Sequence, residues 1–309
     1  MTWRTVGSTP RQPVGVGREV APNVLSRGAG HATMIRMTER EYVLGTGNDE
    51  LTRLALQNRL WSDAAHTAWK LAHIAPGQRV LDVGCGPGYA AFDLAQIVTS
   101  SGAVVGLDES QSFVAYVREQ AKTRGLPQLT AFAVDAQAFT QEHVGQAPFD
   151  LAYARWVLCF VRDPEAVVKN VARVLRSGGR FVVHDYFNYG SMTMAPRRKS
   201  HDLAVAATMR AWRDHGGDPD VVGRLPKIFV EHGLRLDHVT VHTRVARGSD
   251  SMFAWPDTWW RTFAPKLVGM GLLAQRDCDE LITDLTRART SPSEFVQCPP
   301  VYELIATRQ

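Results

Sequence analysis

Short apolar runs alternate with amphipathic segments through the middle of the chain. Residues 79–83, 103–107, 129–134, 149–154 and 180–184 are near-continuously apolar. Runs of that length, bounded by polar residues, predict strands buried on both faces. Between them, residues 89–97, 110–124 and 164–175 carry apolar side chains at helical spacing. Asp163 can cap the last of these, with Pro164 in its first turn. Strand and helix in alternation predict a parallel sheet with right-handed crossovers. Upstream, the pattern predicts one helix from Asn48 to Trp61 and a second over residues 62–74, stopped by Pro76-Gly77. Downstream the alternation breaks. Helices are predicted over 201–213 and 221–232, a strand over 234–245, helical structure over 250–290 and a last strand over 301–306.

Ligands of such sheets sit beyond the carboxyl ends of the strands. Asp82, Asp108, Asp135, Arg155-Trp156 and His184-Asp185-Tyr186 all fall at those ends. The first strand runs directly into glycines at alternate positions, Gly84, Gly86 and Gly88, and then into a helix. Glycine there allows positive φ and close approach of a ligand to the main chain. Asp108, beside Glu109, closes the next strand about 20 residues past the last glycine, where an acid can accept from the two hydroxyls of a ribose. A nucleoside cofactor is expected. The dinucleotide pattern G-x-G-x-x-G is not met, because Tyr89 holds its third glycine position, and the Gly-Lys-Ser/Thr ending of a phosphate loop is missing.

The pattern Asp82-x-Gly84-x-Gly86-x-Gly88 resembles motif I of the class I methyltransferases that use S-adenosylmethionine. That cofactor has a cationic amino group and no phosphate, so an acid inside the motif is electrostatically sensible. The resemblance spans roughly residues 40–245. It implies a Rossmann-like, doubly wound α/β fold: a seven-stranded, mainly parallel sheet with a reversed last hairpin. Residues 1–33, rich in Gly, Pro, Arg and Ser, read as a loose tail, 34–78 as an N-terminal helical lid, and 79–309 as the methyltransferase domain. The insertions at 187–219 and 248–295 are expected to be caps over the substrate.

Residue by residue, the resemblance implies that Arg53 and Gln57, four apart on one helix face, meet the methionine carboxylate. Asp135 and the amide of Ala136 would hold the adenine, and Arg155 would lie near the methionine end. Tyr42 would face the methyl or the acceptor. Candidates to take a proton are His184 and Tyr186, with Tyr189, His201 and His31 behind them. Trp156, Tyr189, Trp255 and Trp259, with Trp260, offer aromatic surface for a flat acceptor. Methyl transfer needs no metal, and none is expected. His238-x-x-x-His242 has helical ligand spacing, but it lies on a predicted strand with no third ligand in view.

Composition narrows the partners. The net charge is +4, and the basic residues are scattered apart from Arg197-Arg198-Lys199. No nucleic-acid partner is therefore expected. No apolar stretch nears the roughly 18 residues of a membrane span, and no signal-peptide core stands at the N-terminus. Four cysteines without a CxxC pair suit reduced thiols in the cytoplasm. The expectation is a cytoplasmic methyltransferase, monomer or homodimer, acting at O, N or C of a small, mainly apolar, aromatic metabolite. A catalytically silent cofactor-binding subunit and an NAD-dependent oxidoreductase are the alternatives.

Overall fold

The computed structural model describes residues 48–309; Tyr42 and His31 lie outside them. α1 (Asn48–Leu71) is one unbroken helix, where the sequence pattern predicts two. The Ser62 hydroxyl donates to the carbonyl of Arg59 and that of Thr67 to Asp63, so neither competes for a cap. No glycine or proline interrupts the run. Its buried apolar stripe is Trp61, Ala64, Ala65, Ala68 and Trp69, the i, i+3, i+4 rhythm of one helical face.

The alternating core follows: β1 (Arg79–Val83), α2 (Tyr89–Val98), β2 (Ala103–Asp108), α3 (Gln111–Thr123), β3 (Leu129–Ala133), α4 (Gln141–Val144), β4 (Phe149–Arg155), α5 (Pro164–Val174) and β5 (Leu175–Tyr186). Then come β6 (Thr193–Ala195), α6 (Lys199–Asp214), α7 (Leu225–Glu231), β7 (Leu234–His242), β8 (Val245–Arg247), α8 (Ala254–Gly269), α9 (Gln275–Ala288), β9 (Phe295–Gln297) and β10 (Val301–Arg308). The main sheet has seven strands in the order β3-β2-β1-β4-β5-β10-β7. Neighbours from β3 to β5 are parallel, and β10 runs antiparallel to both β5 and β7. This is the mainly parallel sheet with one reversed strand expected from the sequence. Successive side chains feed opposite cores: Val80 packs on one side, Leu81 and Val83 on the other, as strand geometry requires.

The caps differ from expectation in one respect. The two insertions are knitted into one body. β6 from the first pairs with β9, which begins where the second ends, and β9 pairs with β8, which leads into the second, forming a separate three-stranded sheet. Three-residue strands are too short to show a period in sequence. Buried ions complete the joint. Asp284 accepts from Ser200 at 2.7 Å and Arg287 at 2.5 Å, and Glu294 from Arg198 and Arg287 at 3.1 Å each. The helix predicted over 221–232 is shorter, because a 3-10 turn at Val221–Gly223 precedes α7, whose Pro226 sits in its first turn.

Candidate functional site

A cavity of about 830 Å³ lies beyond the carboxyl ends of β1, β2, β4 and β5 and is lined also by α1, α6 and α8. Its floor is the glycine loop. Gly84 has φ +64°, and a Cβ there would stand 2.4 Å from Val157 Cγ2. Gly86 has φ +53° with no atom within 4 Å of its would-be Cβ, so its bare backbone is open to a ligand. Its N–H donates to Asp108 Oδ2 at 2.8 Å, and Ser110 N–H donates to Oδ1 at 2.9 Å. These two bonds aim the Asp108 carboxylate and oppose the burial that raises its pKa.

Asp82 is buried and lines the same cavity. Its Oδ2 has no hydrogen-bond partner. Burial raises its carboxyl to about 7, Asp108 adds to the rise, and Arg155 opposes it. Arg155 donates from Nη2 to Asn58 Oδ1 at 2.6 Å, while its buried Nη1 has no partner. One unmet anionic oxygen and one unmet guanidinium nitrogen therefore line one cavity. An amino-acid ligand, with its ammonium and carboxylate, satisfies both. Two acids around the glycine loop would repel a pyrophosphate. The donor set fits S-adenosylmethionine and not a dinucleotide.

Other predicted cofactor residues also reach the cavity. Glu109, Asp135 and Ala136 line it. Asp135 is steadied by Gln137, which donates to Oδ1 from its backbone at 2.8 Å and from its amide at 3.0 Å. Arg53 is less simple than the resemblance implies. It is bound to Glu50 through two nitrogens at 2.8 and 2.6 Å and to Gln57 Oε1 at 2.9 Å. Its charge is already met by Glu50, one helical turn away. The same Gln57 oxygen accepts from Trp255 Nε1 at 3.1 Å, so only the amide hydrogens of Gln57 remain to offer a ligand.

The far half of the cavity is aromatic. Trp156 stacks on Tyr186 at 6.3 Å and 23°, and lies 6.0 Å from Trp255. Tyr189, Trp212, Trp259 and Phe263 extend the wall. Trp212 sits mid-pattern in α6, where sequence gives no sign that it differs from a core residue. Trp156 adopts φ +55°, a conformation costly for a bulky residue and typical of functional positions. Its indole Nε1 is buried without a partner. Trp260 does not join the wall. It donates to His201 Nε2 at 3.2 Å in the core of the cap.

The expected proton acceptors change. His184 does not line the cavity; it is buried, with Nδ1 3.2 Å from the Tyr153 hydroxyl and Nε2 3.1 Å from Glu303. His201 is buried, and desolvation lowers it to about 4. Tyr186 and Tyr189 do line the cavity, but burial pushes both phenols up. They stay protonated at neutral pH and can donate rather than take a proton. Among the described residues, His215 is the histidine that reaches the cavity. Its Nδ1 lies 2.6 Å from the Ala211 carbonyl. A carbonyl only accepts, so Nδ1 carries the proton, and in the neutral ring Nε2 holds a lone pair. The His-Gly-Gly run after α6 could have drawn attention to it.

The third ligand-type side chain that sequence does not bring to the His238 and His242 pair comes from neighbouring strands. Strand register brings His184, His242 and Glu303 together, and His238 lies at their edge.

Residues 74–216 match a family model described as a methyltransferase domain. An uncharacterized 37.1 kDa protein in transposon TN4556 of Streptomyces fradiae is 33% identical over 181 residues, covering 57% of this chain and 49% of that protein. A 2-phytyl-1,4-naphtoquinone methyltransferase of Synechococcus elongatus is 34% identical over 135 residues, covering 41% and 53%. The chain thus spans about half the length of these relatives. Among solved structures, the YcgJ protein of Bacillus subtilis superposes with a TM-score of 0.52 at 16% identity, covering 78% of this chain and 95% of that one. The last likeness is one of fold. No helix among the described residues is long and apolar enough to cross a membrane.

Proposed function

Because residues 74–216 belong to the class I methyltransferases that use S-adenosylmethionine, we propose that this protein methylates a small, oxygen-bearing aromatic ring compound. When bound, that cofactor supplies a methyl group on a sulfonium, already activated for displacement. The chain's work is to bind, align and exclude water. Asp82 Oδ2 would meet the ammonium, Arg155 Nη1 the carboxylate, Asp108 with Glu109 the ribose, and Asp135 with the Ala136 amide the adenine. Alignment alone can supply on the order of 7–11 kcal/mol of barrier reduction.

The observation that carries the acceptor class is the aromatic half of the cavity with the unpaired Nε1 of Trp156 in it. Flat apolar faces suit a ring, and buried unpaired indole donors, that of Trp259 beside that of Trp156, suit oxygen carried on that ring. A relative named for a naphtoquinone supports the same class. Where the acceptor holds a proton, His215, a lining residue of the cavity, is the proposed base, acting through Nε2. Where the nucleophile is an electron-rich ring carbon, Trp156 and Trp255 matter more than any base.

The test is transfer of labelled methyl from S-adenosylmethionine to a panel of hydroxylated mono- to tetracyclic aromatics. Label on at least one ring compound, reduced in Trp156→Phe, is the expected result. Label found on RNA or protein alone would overturn the acceptor class. Binding without turnover of any acceptor would instead favour a silent cofactor-binding subunit.

A further inference from the structure

We propose that His184, His238, His242 and Glu303 form a site for one divalent transition-metal cation, zinc being the natural probe, at the junction of β5, β10 and β7. Strand register builds it. Glu303 stands opposite His184 on β5 and opposite Thr240 on β7. His238 and His242 lie two residues to either side of Thr240, so all four side chains share one face of the sheet. None of them lines the cavity, and the site is separate from methyl transfer.

The three imidazoles converge on one carboxylate through the same atom. Nε2 of His184 lies 3.1 Å from Glu303 Oε2, Nε2 of His242 lies 2.8 Å from it, and Nε2 of His238 lies 3.4 Å from Oε1. The ligand atoms of His184, His242 and Glu303 all fall within 4.8 Å of one another. In a tetrahedral site with bonds of about 2.0–2.2 Å, adjacent ligand atoms stand roughly 3.3–3.5 Å apart. Side-chain adjustments of an ångström or less would therefore place a cation among them.

Two further observations point to a missing cation. Glu303 is 1% exposed, and a carboxylate so buried needs compensating positive charge. Its Oε1 and the Nε2 of His238 are both buried and make no hydrogen bond, although they stand 3.4 Å apart. The other nitrogen of His184 faces the Tyr153 hydroxyl at 3.2 Å. Such an outer contact fixes the ring and its tautomer in metal-binding histidines. Imidazole and carboxylate together suit zinc and its neighbours better than magnesium or calcium.

Chelator-treated full-length protein should be titrated with zinc chloride by calorimetry, and with cobalt(II) by visible absorption. One cation per chain should bind, with a raised melting midpoint and the d–d bands of low-coordinate cobalt. His242→Ala and His238→Ala should each weaken binding at least about ten-fold, in the range typical of disturbed metal sites. His66→Ala should leave it unchanged, since His66 is exposed beside Asp93. His238 stands at the sheet edge and is partly exposed, so that variant tests the site even if Glu303→Gln fails to fold. Absence of stoichiometric zinc or cobalt binding to the folded protein would overturn the proposal, leaving protons alone to balance Glu303. So would binding that survives both histidine variants unchanged.

Discussion

Acidification should weaken cofactor binding through Asp82. In the free protein its buried carboxyl is raised to about 7, and its Oδ2 has no partner. An ammonium placed beside it favours the ionised form, so the bound carboxyl titrates lower than the free one. Binding then expels a proton whenever the free carboxyl holds one, and affinity falls as pH drops through about 7. If only the ionised form binds, the apparent dissociation constant scales as about 1 + 10^(7 − pH). Between about pH 7.5 and about pH 6 it should rise roughly eight-fold, or about 1.3 kcal/mol. The range stays below the titration of a free α-amino group, near 7.7–8.0 by the usual reference value of about that size. Calorimetry with S-adenosylhomocysteine in two buffers of different protonation enthalpy reads the released protons directly. About 0.9 should leave per ligand at pH 6 and about 0.2 at pH 7.5. Asp82→Asn should bind more weakly at pH 7.5 and lose the slope. Flat affinity across this range, proton uptake, or the same slope in Asp82→Asn would refute the assignment of Asp82 to the ammonium.

Asp82 bears on stability as well. The unfolded carboxyl ionises near 3.8 and the folded one near 7, so the ligand-free protein loses stability as pH rises across that window, and Asp82→Asn should melt higher than wild type at pH 7.5. Gly84→Ala should cost about 1–3 kcal/mol or more, from strain at positive φ and collision with Val157; a wild-type denaturation midpoint would contradict the loop geometry. Trp260→Ala should lose about 3–5 kcal/mol in urea unfolding, because the indole is wholly buried in the joined cap; a loss below about 1 kcal/mol would mean that the cap is not packed as described. For an acceptor that carries a proton, His215→Gln should lower turnover about 10²–10⁴-fold with cofactor affinity intact, whereas Tyr186→Phe should change turnover only a few-fold; the reverse ranking would return the base to Tyr186.

The sheet was legible because its strands are buried on both faces and flanked by turn residues. Asp82, Asp108 and Asp135 were legible because a ligand beyond the strand ends selects for polar residues there. Depth and direction were not legible. His184 and Tyr186 share a strand face, yet one lines the cavity and the other lies beneath it, against Tyr153 and Glu303. Nothing within β5 distinguishes them; the difference comes from β10 and β7, which are distant in sequence. The helical spacing that puts Arg53 beside Gln57 is equally open to Glu50 on the preceding turn, and it is Glu50 that neutralises Arg53. The merged cap escaped notice because its pairing depends on three strands of three residues each.

The carbonyl oxygen of Gln57 takes one hydrogen bond from Arg53, in the half proposed to hold the amino-acid end of the cofactor, and one from Trp255, in the aromatic half. A ligand that draws Arg53 toward itself loosens that oxygen's hold on the indole, and an acceptor pressing on Trp255 shifts the oxygen that Arg53 leans on. The two ligands then do not bind as independent guests. Whatever factor the first changes the affinity of the second, the second must return to the first, since both routes around the cycle end in the same ternary complex. Gln57→Leu would cut this link while leaving both halves of the cavity standing, and each molecule would then bind with the same affinity whether or not the other is present.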